Sequence, residues 1–273
     1  MPELPEVETI RRQLESKLKG QTIKSVEVRF GKKLTPGPKE FARLLTGKKF
    51  LAVRRRAKLL FFELSGGWNL FAHLKMSGRF LLKKENAEPS KHTHVIFRLT
   101  KDELHWEDLR KFGFLKLLDK KQSEKFLQSQ DYGPEPLEKS FTWQKMAMCL
   151  RSRPTAKIKP LLMEQSCIAG IGNIYAAEAL WFAKISPWRR VRDIKDEEMK
   201  KLYKGTVAVL KQAIALGGTS ADSYVDAFGK EGKFVPKLKV YERAGEPCSR
   251  CHTILKKMKV GGRGSVFCPN CQK

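Results

Sequence analysis

No apolar run in this 273-residue chain approaches the roughly 20 residues that a membrane-spanning helix needs. An internal repeat and a low-complexity tract are also lacking, so neither a solenoid nor a biased tail organises the chain. The opening MPELPEVETIRRQL is acidic and then helical in pattern, unlike an export leader, so a cytoplasmic, nucleoid-associated protein is expected. Acidic residues are scarce as well: 29 Asp and Glu face 55 Lys and Arg, a net charge of +26. A surplus of that size repels itself unless a polyanion neutralises it, and here it is spread along the chain rather than confined to a tail. Nucleic acid is therefore the first partner to consider.

Cysteine is sparse, six residues in all, and without an export signal a disulfide framework is not expected. Cys149 and Cys167 fall in apolar helical patterns and are read as packed thiols. The other four, Cys248-x2-Cys251-x16-Cys268-x2-Cys271, have the spacing of a four-thiolate structural site for one Zn2+, closed to chemistry. Between the two pairs, TILKKMKV and SVFC read as short strands joined by Gly261-Gly262-Arg263-Gly264, a hairpin that carries Arg263 at its tip. A guanidinium there can fork onto a phosphate; a hairpin that serves folding alone is the competing reading.

Hydrophobic 41% of the chain suffices for more than one core. Residues 5 to 19 read as an amphipathic helix, with Pro5 at a first helical position and Val7, Ile10, Leu14 and Leu18 on one face. From 22 to 118 the pattern shortens to strand-like runs. DYGPEPLEKS carries turn signals, and helical periodicity follows at 141–151, 157–165, 174–184 and 195–214. The expected class is α+β: a β-rich first domain over 2–131, a linker over 132–140, a helical domain over 141–237 and a zinc module over 238–273.

Five segments carry a resemblance. They are Pro2 to Thr9, His73-Leu-Lys-Met-Ser-Gly-Arg79, Asp108-Leu-Arg-Lys-Phe-Gly113, Gly170-Ile-Gly-Asn-Ile-Tyr175, and the finger from Arg263 to Gln272. In this order, and over essentially the whole chain, they resemble formamidopyrimidine-DNA glycosylase. The resemblance implies a β-sandwich-like first domain behind an N-terminal helix, a helix-two-turn-helix domain and a C-terminal zinc hairpin. It further implies a monomer that binds damaged double-stranded DNA, flips and excises oxidised purines, and then cuts the abasic strand by β,δ-elimination.

The chemistry suits the residues. Once Met1 is removed, Pro2 is a secondary amine, and an α-amino group titrates near 8 against about 10.4 for lysine, so more of it is neutral and nucleophilic at pH 7. By resemblance Pro2 forms the Schiff base, Glu3 is the proton donor, Lys58 contacts the lesion nucleotide and serves elimination, and Arg263 contacts phosphate and serves the δ step. Flipping a nucleotide leaves a gap. Met76, Arg110 and Phe112 are implied to fill it, while His73, Lys159 and Asn173 hold the backbone with Arg263, and Glu178 organises the site from within. The GIGN turn before an apolar helix independently suits a phosphate at a helix N-terminus, or a plain corner capped by Asn173.

The chain departs from the family pattern at four places. Ala57 and Lys75 stand where glycine is expected, Leu255 replaces a β-branched residue, and ADSYVD lacks a basic residue expected in the lesion-capping loop over 217–234. Two other readings stand beside the first: an endonuclease VIII-like enzyme for oxidised pyrimidines, and a non-catalytic zinc-finger protein that binds damaged DNA.

Overall fold

Helix α1 (Leu4–Leu18) forms where the apolar spacing places it, with Val7, Ile10, Leu14 and Leu18 fully buried on one stripe. Its start is fixed by a capping box in which the Glu6 carboxylate accepts from the Glu3 backbone N–H at 2.8 Å. The computed structural model describes residues 1–273 and divides into two units, 1–130 with 216–233, and 131–215 with 234–273. No helix is long and apolar enough to cross a membrane.

The first unit is built on two sheets. One joins β1 (Ile23–Val28), β7 (Thr93–Leu99), β8 (Glu103–Asp108) and β6 (Gly78–Lys83) in that order, all antiparallel. The other runs β2 (Leu34–Thr35), β9 (Phe114–Leu118), β5 (Trp68–His73), β4 (Leu59–Leu64) and β3 (Phe50–Arg56). Alternation in β4 turns Leu60, Phe62 and Leu64 into the core shared with Phe80, Phe97 and Trp106 of the first sheet, and Phe62 meets Phe80 edge-on at 5.4 Å. The opposite face is closed in part by α3 (Lys120–Gln128), whose Phe126 packs on Phe71 at 4.9 Å. A further helix, α2 (Pro38–Leu45), interrupts the strand-like stretch. Its prolines and glycine read as a turn, yet Pro38 sits in the first turn and Phe41 and Leu45 are buried four residues apart.

In the second unit α6 (Asn173–Ala183) is buried on nearly every side. The other helices there are α4 (Trp143–Arg151), α5 (Ile158–Leu162) and α7 (Asp196–Ala215), and Gly205 of α7 leaves no room for a side chain against Phe182 of α6. The hairpin β10 (Lys256–Val260) and β11 (Arg263–Phe267) shares a core with α6 through Ala177, Val240, Leu255 and Val266.

Three features depart from the sequence reading. Cys149 and Cys167 are joined by a disulfide, with Cα atoms 5.5 Å apart, and are not the packed free thiols expected; helical periodicity reports burial but not which buried sulfurs face each other. The turn-rich segment after residue 130 is fastened to the second unit: Gly133 donates to the Gln165 carbonyl, the Pro134 carbonyl accepts from Ala169, and Glu135 is buried. Residues 216–233 join the first unit, not the helices beside them in sequence, because backbone donors of this loop find side-chain acceptors on α1: Thr219 N–H on Glu6 at 2.9 Å and Ala227 N–H on Gln13 at 2.9 Å.

Truncating Phe62, which also touches Phe50 at 5.8 Å, removes the bridge between the sheets. Phe62→Ala is expected to cost the first unit about 3–5 kcal/mol, read by denaturant unfolding; a loss under about 1 kcal/mol would mean the sheets are held together elsewhere.

Candidate nucleic-acid interface and zinc site

Pro2 is buried immediately ahead of the capped start of α1, and Glu3, the N-cap residue, is 2% exposed. Each oxygen of the Glu6 carboxylate has a backbone partner, Glu3 N–H on one and Thr219 N–H on the other. The loop over 216–233 is thereby anchored beside the chain's N-terminus, and the Met1 ammonium lies 3.7 Å from the Asp222 carboxylate of that loop. Within the loop Tyr224 is buried and donates to the Gly217 carbonyl at 3.1 Å; burial, then the Glu6 and Asp226 carboxylates, push its phenol up from its usual range.

Lys58 sits in the turn between β3 and β4, only 7% exposed, and the register pairs its neighbour Leu59 with His73. Burial first, then the Lys75 and Lys58 ammonium groups, hold His73 down at about 3, so its ring is neutral at physiological pH. Its Nδ1 accepts from the Lys75 backbone N–H at 3.0 Å. The ring proton is thus on Nε2, which is a donor. Ala57 and Lys75 each have φ of +52°, which explains the family's glycine: the left-handed region costs a side-chain-bearing residue roughly 1–2 kcal/mol. This chain keeps both turns in the same conformation despite that strain.

Met76 lies in the turn after β5, whereas Arg110 and Phe112 lie in the turn after β8, exposed, with the guanidinium 5.0 Å from the Phe112 ring centre. One buried carboxylate joins the two turns. Asp108, fully buried, accepts from Ser77 Oγ at 2.6 Å, from the Arg110 N–H at 3.2 Å and from the Gly113 N–H at 2.7 Å, and Ser77 Oγ accepts a further bond from Arg110 N–H. In the sequence Asp108 and Ser77 stand within motif segments without a role of their own, and Glu6 reads only as an acid at the positive end of a helix dipole. The available signal was an acidic residue heading a loop that ends in glycine.

In the second unit Lys159 is 1% exposed, and its ammonium donates to Ser265 Oγ at 2.7 Å. Asn173 opens α6 as its first residue, with Gly172 as the N-cap; its Nδ2 donates to the Gly264 carbonyl at 3.4 Å, and its buried Oδ1 has no partner. Gly261 and Gly262, both with positive φ, make the two-residue hairpin turn, and Arg263 follows them exposed at the start of β11. Lys159 and Asn173 are therefore held against the strand that carries Arg263. Glu178 has a different place: its carboxylate accepts from the N–H groups of Lys239, Val240 and Tyr241, at 2.8, 3.0 and 2.9 Å, and so fastens the lead-in of the zinc module to α6.

The sulfurs of Cys248, Cys251, Cys268 and Cys271 all lie within 4.8 Å of one another. Tetrahedral Zn–S bonds of about 2.3 Å require sulfurs about 3.8 Å apart, so the four fit one zinc ion and leave no ligand position free. Zinc there fixes the hairpin and takes no part in chemistry.

Two outcomes follow from this geometry. Asp108→Asn replaces a three-donor acceptor with a group that brings its own donors, and is expected to cost about 2 kcal/mol in denaturant unfolding of the first unit; an unchanged midpoint would show that the carboxylate does not hold the turns. His73, depressed when folded, leaves the unfolded chain to take up a proton as pH falls below about 6.5, so it lowers stability between that pH and about 3. His73→Gln should reduce the acid-side loss in stability between pH 7.5 and 5, read from melting curves, by roughly 2 kcal/mol, and parallel curves for the two proteins would refute it.

Comparison with known proteins covers the chain end to end. Family models match for the formamidopyrimidine-DNA glycosylase N-terminal domain over 1–115, the formamidopyrimidine-DNA glycosylase H2TH domain over 132–225, and the zinc finger found in FPG and IleRS over 245–273. The chain is 43% identical over 281 residues to the formamidopyrimidine-DNA glycosylase of Desulfitobacterium hafniense and 42% identical over 276 residues to that of Listeria monocytogenes, with both partners covered in full. Among solved structures, a Lactococcus lactis Fpg mutant in complex with a Fapy-dG containing DNA superposes with a TM-score of 0.94 at 39% identity over the whole of both chains. The wild-type Lactococcus lactis enzyme with an oxidized pyrimidine containing DNA gives 0.93 at 39% identity, again over both whole chains. With its helix-two-turn-helix domain and its four-cysteine hairpin in place, the chain belongs to the formamidopyrimidine-DNA glycosylase family.

Proposed function

We infer that this protein is a base-excision repair enzyme of bacterial type, a DNA glycosylase with lyase activity that removes oxidised purines from duplex DNA in the cytoplasm, at the nucleoid. The observation that carries the reading is Pro2, buried next to the capped start of α1 and beside the loop over 216–233, in a chain that matches the family from end to end.

In this reading the Pro2 nitrogen, freed by loss of Met1, attacks C1′ of the damaged nucleotide, the N-glycosidic bond breaks, and the base leaves with a proton. Glu3 lies one residue away to exchange protons with the opening sugar ring. The resulting iminium acidifies C2′–H, so that the 3′ and then the 5′ phosphate oxygens leave in succession. Lys58, next to the residue that pairs with His73 across β4 and β5, and His73 itself address the lesion strand, the lysine by charge and the histidine by its Nε2–H. Met76 and Phe112 occupy the gap left by flipping, and Arg110 bonds to the orphaned base. On the second unit Asn173 and Arg263 hold phosphates, with the start of α6 as an anion site, and the buried Lys159 braces the strand of Arg263 through Ser265.

The oxidised-pyrimidine reading has one point in its favour, the Lactococcus lactis complex with such a lesion, and it concerns breadth of substrate within the same mechanism. The non-catalytic reading needs no free amine at residue 2. Borohydride trapping on duplex with 8-oxoguanine opposite cytosine, followed by mass mapping, should place a cross-link on Pro2 and show strand cleavage in the untrapped control. Tight binding with no cross-link, in protein whose Met1 is shown by mass to be absent, would move the assignment to a damage-binding protein.

A further inference from the structure

The disulfide between Cys149 and Cys167 stands apart from the zinc thiolates and from every residue assigned a part in repair. We propose that these two cysteines form a reversible dithiol–disulfide site that stiffens the phosphate-binding turn of the helix-two-turn-helix when the surroundings become oxidising. Two observations carry this. The Cα atoms are 5.5 Å apart, within the range a bridge spans without backbone movement. Cys149 is half-buried and Cys167 fully buried, so a reagent reaches the first and the second is positioned to resolve.

The bond also has a defined mechanical target. Cys167 lies three residues before Gly170, whose N–H donates to the Gln165 side chain at 2.8 Å while the same side chain donates to the Ile171 carbonyl at 2.9 Å. That network shapes the turn leading into Asn173. A bridge to α4, closing a separation of 18 residues, removes freedom from this segment in the unfolded and partly opened states.

The step balances with a low-molecular-weight disulfide as oxidant. The Cys149 thiolate attacks it, its S–S bond breaks and one small thiol leaves. The Cys167 sulfur then attacks Cys149 and expels the second, so two protein thiol protons and two electrons pass to the reagent. Oxidants that raise this disulfide pool also create oxidised purines, so the site would act when the enzyme's substrates accumulate.

Zinc-loaded protein is equilibrated in glutathione buffers from reducing to oxidising, alkylated and mass-mapped, and its melting temperature and affinity for an abasic-analogue duplex are measured beside Cys149→Ala. Expected are a 149–167 cross-linked peptide with zinc retained, a melting temperature higher by several degrees in the oxidised form, affinity several-fold tighter, and no change in the variant. The proposal is overturned if the zinc thiolates oxidise first, or if the cross-linked form melts and binds as the reduced form does. A protein that binds no duplex in either state would strike the repair assignment, and the cross-link and melting data would still decide this one.

Discussion

The buried carboxylate of Glu6 is the contact on which the N-terminal end of the site depends. At 1% exposure it has given up water, and it remains stable because it lies in the first turn of α1, where the helix dipole is positive, and accepts from Glu3 N–H and Thr219 N–H. Charge-assisted bonds of this kind are directional. The first sets where Pro2 and Glu3 leave the helix, and the second brings a loop more than 200 residues distant in sequence onto the first unit. A carboxylate serving two backbone segments gives the chain's N-terminus and the loop a common reference point.

The same device recurs. Asp108 joins the Met76 turn to the Arg110–Phe112 turn, and Glu178 fastens residues 239–241 to α6. Burial pushes the Glu178 carboxyl up while its three N–H partners oppose the shift. In a chain with 55 basic residues, Glu6, Asp108 and Glu178 do not neutralise the surface. They collect backbone donors, and Arg110 and Arg263 stay exposed.

His73 illustrates how the basic groups shape one another. Burial and two neighbouring ammonium groups keep it neutral, so it presents a hydrogen-bond donor whose character does not change near neutral pH. Strain has a comparable local role at Ala57 and Lys75: both turns retain positive φ although the residues that suit it are absent, because the flanking strands β3, β4, β5 and β6 are fixed in their registers by the core.

Much of the fold and site was legible in the sequence, for identifiable reasons. The period of Val7, Ile10, Leu14 and Leu18 records one buried stripe, the x2–x16–x2 spacing of four cysteines records a metal tetrahedron, and the motif segments contain Pro2, Glu3 and Arg263. Helix α2 was obscured because Pro38 reads equally as a turn and as a helix start. The sequence by itself therefore determined the class and the zinc ligands, since periodicity and ligand spacing are local quantities, and its motif segments carried the resemblance from which the candidate chemistry comes. Only the tertiary structure decided which buried acid holds which turn, that Cys149 meets Cys167, and that residues 216–233 belong with the first unit. These are pairings between distant segments, set by which buried donors and acceptors must satisfy one another once water is excluded.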